Sequence, residues 1–182
     1  MRRLNAFLTS IFVALMTFTT ISAEAQNRRP AANRVGGPFG LGLQLGDPSG
    51  FVMKYHLDSR VAVDGGLSFA FDRWILLYSD WIWHVPGGFG NQNEFVSQLN
   101  PYVGAGGLFV VSTKSESEVR REKYFSDSSS TRIALGVRVP IGVEWRASKI
   151  PLGIYLEIAP GLTIVPATTG FVQGGIGGRF YF

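Results

Sequence analysis

The sequence has no cysteine and few charged residues. The absence of cysteine among 182 residues excludes a disulfide scaffold, a thiolate metal site, a cysteine nucleophile and a lipid-modified N-terminal cysteine. Charged residues make up 16% of the chain and apolar residues 46%, which argues against disorder and coiled coil. After the N-terminus, no window offers the roughly 20 unbroken apolar residues of a membrane helix. With only two histidines as well, the sequence predicts no metal and no cofactor.

The N-terminus has the three parts of a secretory signal peptide. Met1-Arg2-Arg3 is basic, residues 6–18 are apolar but too short to span a bilayer, and Ala23-Glu24-Ala25 is a small-x-small cleavage site. We therefore expect residues 1–25 to be cleaved, with Gln26 first in the mature chain. An N-terminal membrane anchor is the less favoured alternative. Residues 26–38 are predicted to be a flexible polar leader, and residues 39–182 the folded domain.

From residue 39 onward the chain alternates between bulky apolar residues and small or polar ones, which is typical of β-strands. The cleanest alternation runs from Arg132 to Trp145. The fifth segment is apolar at both phases, so its inward face stays undetermined. We count eight strand-like segments: 39–46, 51–57, 61–71, 75–84, about 102–111, 132–145, 152–159 and 172–182.

The residue sizes on the two faces indicate which face points inward. A soluble barrel would carry many Lys and Glu outside, whereas here the less apolar face is rich in glycine with a few charges of both signs, which suits a narrow lumen. The sequence therefore predicts an all-β, eight-stranded antiparallel up-and-down transmembrane β-barrel whose apolar face meets lipid. We expect the inward charges to form a lumen charge network that plugs the barrel: Lys54, Asp64, Asp80, Arg138, Glu144, Glu157 and Arg179. Two alternatives for this network stay open. In one, the ion pairs exchange partners and admit ions; in the other, the network has a purely structural role.

Aromatic residues gather toward the two ends of the predicted strands, as in the girdles of membrane barrels. Chance scatter by β-propensity is the alternative. With both termini at one end, the expected groups are Phe39, Trp81, Trp83, Tyr102, Trp145, Phe180 and Phe182 at that end, and Phe51, Phe69, Phe71 and Phe109 at the other.

Two connections are long. Residues 113–130 hold eight charges and six serines, and strand parity puts the Ser112–Ser130 loop on the extracellular side. Residues 85–98 fall on the periplasmic side, where turns are usually short, so either this turn is unusually long or the neighbouring strand limits are displaced. In the Ser112–Ser130 loop, the candidates for contact with an unknown ligand or with lipopolysaccharide phosphates are Glu116, Glu118, Arg120, Arg121 and Lys123. Their signs are too mixed for nucleic acid.

No nucleophile motif or triad marks a catalytic site. Asp80 and His84 share a strand face but stand roughly 13 Å apart along it. His84 with Ser79 or Ser68 stays open as a pair, although nothing in the sequence groups them. We therefore expect the protein not to be an enzyme, with a lipid-modifying enzyme as the least favoured alternative.

The last residues resemble the C-terminal signal of bacterial outer-membrane barrels, which the barrel-insertion machinery reads. Gly177, Phe180 and Phe182 match it, and Gly175 stands where a polar residue is expected. The chain as a whole is similar to the small OmpA/OmpX-type barrels, and more narrowly to the BAPKO-type outer-membrane β-barrel family. The residues that carry this resemblance are 46–51, Lys54-Tyr55, Asp64-Gly65, Trp83-His84, 135–140 and 157–160.

This resemblance implies a monomer in the outer membrane of a Gram-negative envelope, surrounded by lipid and lipopolysaccharide. It supplies no reaction. The function that we expect is a structural or interaction scaffold that displays extracellular loops for adhesion or envelope integrity, without an open pore. A small gated pore is the first alternative.

Overall fold

The structure is a computed structural model that describes residues 35–70, 74–90, 93–112 and 133–182. The predicted signal peptide and most of the predicted leader lie outside the described residues. The five candidate contact residues of the Ser112–Ser130 loop, and Phe71, also lie outside them. No helix within these ranges is long and apolar enough to cross a membrane.

The described residues form nine β-strands and one short helix. The helix, α1 (Glu94–Ser97), begins after Asn93, whose side chain accepts a hydrogen bond from the backbone N–H of Val96. The strands are β1 (Phe39–Asp47), β2 (Gly50–His56), β3 (Val61–Ala70), β4 (Trp74–His84), β5 (Leu99–Ser112), β6 (Ile133–Arg138), β7 (Ile141–Arg146), β8 (Leu152–Val165) and β9 (Thr169–Tyr181).

Short polar side chains close the tight turns. Between β1 and β2, the hydroxyl of Ser49 accepts a hydrogen bond from the backbone N–H of Gly46 at 2.9 Å and donates one to the carbonyl of Gly46 at 2.7 Å. Gly46 has a φ of 139°, which favours glycine. Between β2 and β3, the carboxylate of Asp58 accepts hydrogen bonds from two backbone N–H groups, those of Arg60 and Val61.

The strands close into an antiparallel barrel with eight strand positions. The order runs β4, β3, β2, β1, β9, β8, then β6 and β7 together, then β5, and β5 pairs back to β4. The first and last strands pair from Gly40 opposite Tyr181 to Asp47 opposite Gly174. The backbone N–H of Phe182 donates to the carbonyl of Phe39 at 2.7 Å. We call the end with Phe39 and Phe182 the terminal end, and the opposite end the loop end.

One strand position is divided by a proline. The sequence predicts a single strand over 132–145, whereas the structure has β6 and β7 with Val139 and Pro140 between them. Proline has no N–H to give to the ladder. The register against β8 continues across the break, from Arg138 opposite Gly161 to Ile141 opposite Ile158. The alternation is therefore preserved, and β6 and β7 act as one wall strand.

Several strands extend beyond the predicted limits. β5 begins at Leu99, β8 continues to Val165 and β9 begins at Thr169. The phase of β5, which the sequence leaves open, puts Tyr102, Leu108 and Val110 inside. The connection 85–98 is long in the structure, because β4 ends at His84 and β5 begins at Leu99.

The apolar face of the strands points outward and the charged face inward. Leu135, Val137 and Val139 are 44–47% exposed, whereas Arg138 between them is 1% exposed. The same alternation appears in β8, where Ile154, Leu156 and Ile158 are exposed while Tyr155 and Glu157 are buried. This polarity is the reverse of that of a water-soluble barrel, whose apolar side chains fill the inside.

Aromatic side chains at both ends are exposed, with one correction. Trp81, Trp83, Phe180 and Phe182 face outward toward the terminal end, and Phe51 and Phe109 face outward toward the loop end. Tyr102 lies at the terminal end as expected, opposite His84, but its place in an outer girdle is wrong: it is 3% exposed, because the phase of β5 turns it into the lumen.

Inside the barrel, large rings lie over glycines. Five inward aromatic residues each stand directly opposite a glycine of the neighbouring strand, and a Cβ added at that glycine would overlap the ring. The missing side chain leaves the space that the ring occupies. The pairs are Tyr78 with Gly66, Tyr102 with Gly142, Tyr155 with Gly177, Phe171 with Gly161 and Tyr181 with Gly40.

This arrangement predicts that Gly177→Ala destabilises the barrel by about 1–3 kcal/mol, because the new methyl group overpacks against Tyr155. The matched control is Gly178→Ala, one residue along β9, where the nearest atom to an added Cβ is the carbonyl oxygen of Gly153 at 3.9 Å. The measurement is the free energy of unfolding in urea for protein refolded in detergent micelles. Equal stability of the two variants would contradict the packing argument.

Candidate functional site in the barrel lumen

The seven charged residues that the sequence assigns to the lumen all lie inside the barrel. Each is between 0% and 6% exposed. A buried charge requires a partner, because leaving water costs several kcal/mol for each ion. The seven charges come from seven strands, which occupy six strand positions of the wall because β6 and β7 share one, and they form a central group and a terminal-end group.

Arg138 is the centre of the first group and joins four strands. Its guanidinium donates to the carboxylate of Glu157 on β8 and to the side-chain oxygen of Gln173 on β9. It also lies 3.3 Å from the carboxylate of Asp80 on β4. The guanidinium carbon stands 4.2 Å from the centroid of the Tyr78 ring, in a cation–π contact.

A second arginine completes the central group. Arg179 on β9 donates to the carboxylate of Asp64 on β3 at 2.7 Å, and its guanidinium lies 3.7 Å from the centroid of the Tyr155 ring. The hydroxyl of Tyr155 donates to the side-chain oxygen of Gln44 at 2.7 Å. The amide of Gln44 in turn donates to the carbonyl of Pro48 at 3.0 Å, so polar contacts continue to the β1–β2 turn.

Glu144 is the centre of the terminal-end group. The ammonium of Lys54 lies 2.8 Å from its carboxylate, the hydroxyl of Tyr181 donates to it, and Nε2 of His84 is 3.5 Å away. Lys54 also lies 4.8 Å from the centroid of the Tyr102 ring. The hydroxyl of Tyr102 donates to Glu157 at 2.8 Å, which links this group to the central one.

Two histidines and an arginine lie at the terminal-end mouth of the lumen. The rings of His56 and His84 have centroids 5.2 Å apart. The guanidinium of Arg146 lies 3.7 Å from the centroid of the Tyr181 ring and 3.4 Å from Nε2 of His56. These side chains cover the charges behind them from the terminal end.

The described side chains at the loop end of the lumen are mainly apolar. Rings and aliphatic side chains from β2, β4, β5, β6, β8 and β9 form one buried cluster above the central group. Its members are Val52, Leu76, Tyr78, Leu108, Val110, Ala134, Tyr155 and Phe171. Two uncharged polar side chains, Ser68 and Thr163, are also buried toward this end.

The geometry does not bring together the serine–histidine pairs that the sequence leaves open. Ser79 faces outward while His84 faces inward. Ser68 lies inside but stands opposite Leu76, eight residues from His84 along β4, which is about 26 Å in a strand. Among the described residues, no group of three His, Cys, Asp or Glu side chains could hold a metal ion.

Sequence reasoning missed the part that the tyrosines and glutamines play. Tyr78, Tyr155 and Tyr181 all lie at inward-facing positions of their strands, each opposite a glycine of the neighbouring strand. The signal for their role was therefore an aromatic residue at an inward-facing position opposite a glycine. Gln44 and Gln173 are buried beside the charges at 3% and 2% exposure. Their amides give hydrogen bonds without adding charge.

The C-terminal signal residues divide between the two faces. Gly177 is buried against Tyr155, whereas Phe180 and Phe182 are 47% and 62% exposed. The ring centroids of these two phenylalanines are 5.1 Å apart, and Phe182 also lies 6.5 Å from Phe39.

An outward groove of about 580 Å³ runs along β7, β8 and β9. Its lining is mainly apolar and includes Ile141, Leu156, Ile158 and Val172, together with the polar Glu157 and Gln173. Apolar side chains of this kind suit hydrocarbon rather than a polar substrate.

Removal of Arg138 is expected to leave Glu157 and Asp80 without their shared cation inside the barrel. We expect Arg138→Ala to lower the free energy of unfolding by about 3–5 kcal/mol. Urea unfolding in micelles measures this, with Arg60→Ala in the exposed β2–β3 turn as the control. A loss no larger than that of the control would mean that Arg138 does not hold the network together.

No curated protein and no solved structure matches the chain. A family model described as "Protein of unknown function (DUF3996)" matches residues 32–181, which include every strand of the barrel. The chain therefore belongs to the DUF3996 family of proteins of unknown function.

Proposed function

We propose that this protein is an integral outer-membrane β-barrel that serves as a scaffold for its loop-end connections. The observation that carries the proposal is the wall: Leu43, Leu45, Leu156 and Ile164 are 56–69% exposed, while the ion pairs lie inside. A monomer in water rarely exposes an apolar surface larger than a few hundred Å². Hydrocarbon is the solvent that suits such a wall, and a closed ladder leaves no strand edge in it.

The ends of the chain support the same location. The predicted signal peptide over residues 1–25 directs export, and Gly177, Phe180 and Phe182 form the signal that we expect the insertion machinery to read. We also propose that the chain is related to the BAPKO-type family within the small OmpA/OmpX-like barrels. Lipid and lipopolysaccharide then surround the barrel, which acts as a monomer.

The scaffold role follows from where polar groups remain available. The lumen charges are paired with one another, and the wall is apolar. The Ser112–Ser130 loop, with its eight charges at 113–130, follows β5 at the loop end. Loops carry function more often than the scaffold beneath them. We therefore assign contact with an extracellular ligand, for adhesion or envelope integrity, to Glu116, Glu118, Arg120, Arg121 and Lys123.

The location is tested with single cysteines, since the chain has none of its own. Ser128→Cys lies in the loop, and Lys149→Cys lies in the exposed β7–β8 connection at the terminal end. A membrane-impermeant maleimide should label position 128 in intact cells, and position 149 only after the outer membrane is permeabilised. Labelling of both positions in intact cells would contradict the orientation, and recovery of the folded chain from the soluble periplasm would contradict the membrane location.

We expect the unmodified protein to show no stable conductance in planar bilayers, because an eight-stranded barrel is narrow and its lumen is occupied by paired charges and large side chains. Arg138→Ala should lower the free energy of unfolding and leave the conductance nearly unchanged. A large stable pore formed by the unmodified protein would contradict the scaffold proposal and favour the gated pore.

A further inference from the structure

One connection at the terminal end differs from the others in length and in chemistry. The connections 57–60 and 147–151 are short, whereas β4 and β5 are joined through residues 85–98. We call residues 85–90 and 93–98 the rim segment, which leaves out the two residues between them that are not described. The rim segment carries a single charged residue, Glu94, in contrast to the eight charges of residues 113–130.

The rim segment is held to the barrel by specific hydrogen bonds. The backbone N–H of Val85 donates to the carbonyl of Pro101 at 2.8 Å, and the N–H of Arg146 donates to the carbonyl of Gln98 at 3.2 Å. The hydroxyl of Ser148 donates a hydrogen bond to the carboxylate of Glu94 at 3.2 Å, so the one charged side chain of the segment has a partner within the chain. Its position against the wall is therefore fixed at both ends and at α1.

Helix α1 lies on the outer side of the wall. The ring of Phe95 stacks on Trp145 with centroids 6.3 Å apart and planes inclined by 29°. Trp145 stands at the outward phase of β7, next to the inward Glu144. Helix α1 therefore continues the apolar outer wall beyond its last strand residues.

Despite these contacts, the large apolar side chains of the rim segment stay uncovered. Val85, Phe89 and Phe95 are 54%, 52% and 60% exposed, and no residue of α1 is buried. A connection immersed in water would be expected to carry charge and to hide such rings. A charge-poor segment with exposed aromatic rings instead suits the boundary between lipid headgroups and acyl chains.

We propose that the rim segment is a lipid anchor, which inserts Phe89 and Phe95 into the headgroup boundary of the leaflet at the terminal end. The partner is a phospholipid surface, not a second protein, because the exposed rings continue the lipid-facing wall and the one carboxylate is already bonded within the chain. This inference rests on the proposed membrane location and adds a second point of attachment to it. The anchor fixes the depth and tilt of the barrel from one side.

The test uses single cysteines that carry an environment-sensitive fluorophore, in protein reconstituted into phosphatidylcholine vesicles. The anchor positions are Phe89→Cys and Phe95→Cys, with Val85→Cys as a third position in case one variant does not fold. Leu43→Cys reports the membrane wall, and Arg60→Cys reports the water-exposed turn at the same end. Folding of each variant is checked by circular dichroism.

We expect nitroxide-labelled phosphatidylcholine to quench the anchor positions as strongly as position 43, with no loss of fluorescence at position 60. Quenching at position 43 together with access of aqueous iodide to positions 89 and 95 would overturn the anchor and leave the membrane location standing. Absence of lipid quenching at position 43 would overturn the proposed function itself. Protection of the anchor positions that rises with protein density at constant lipid would identify a second copy as the occupant, and would also overturn the anchor.

Discussion

The pairing of Arg138 with Glu157 and Asp80 depends on a wall that encloses it completely. Strands that close on themselves have one face toward the axis and one away from it, and the alternation of side chains leaves no intermediate position. Because the outward face here is apolar, the seven lumen charges turn to the axis, where they meet groups from other strands. Three ion pairs, Lys54–Glu144, Arg179–Asp64 and Arg138–Asp80, connect strands that no backbone hydrogen bond joins, whereas Arg138–Glu157 joins the neighbouring strands β6 and β8.

The tyrosines make these pairs possible within a narrow barrel. Each arginine of the central group lies against a ring, Arg138 on Tyr78 and Arg179 on Tyr155, so its flat face is covered while its edges reach carboxylates. The ring in turn needs a glycine opposite it, which the neighbouring strand supplies. Since glycine weakens a strand by itself, its abundance at inward positions is explained by the volume of the rings beside it. Charge, ring and glycine are therefore one arrangement, and a change in any of them disturbs the other two.

The sequence was sufficient for the architecture, because dyad alternation in β1, β3 and β8 leaves only one phase consistent with a few inward charges. It also identified the seven lumen charges individually. It could not identify their partners: Lys54 and Glu144 are 90 residues apart, and their contact depends on barrel shear, which no local pattern encodes. The sequence could not show which way Tyr102 points, because both phases of β5 are apolar. The division at Pro140 and the extended limits of β8 and β9 depend on ladder hydrogen bonds, which propensity predicts poorly.

The two ends of the barrel differ in a way that gives the scaffold a direction. The charged loop after β5 must remain in water, since burying unpaired charges in hydrocarbon would cost far more than the barrel gains from any contact there. At the terminal end the short turns carry few charges, among them Arg60 and Lys149, and the rim segment carries one, Glu94. In the proposed membrane, moving the charged loop back through the hydrocarbon would require a large desolvation free energy. The orientation set during insertion therefore persists. In the proposed orientation the loop end faces outward, and because the lumen charges are paired with one another, we assign recognition from outside to that end.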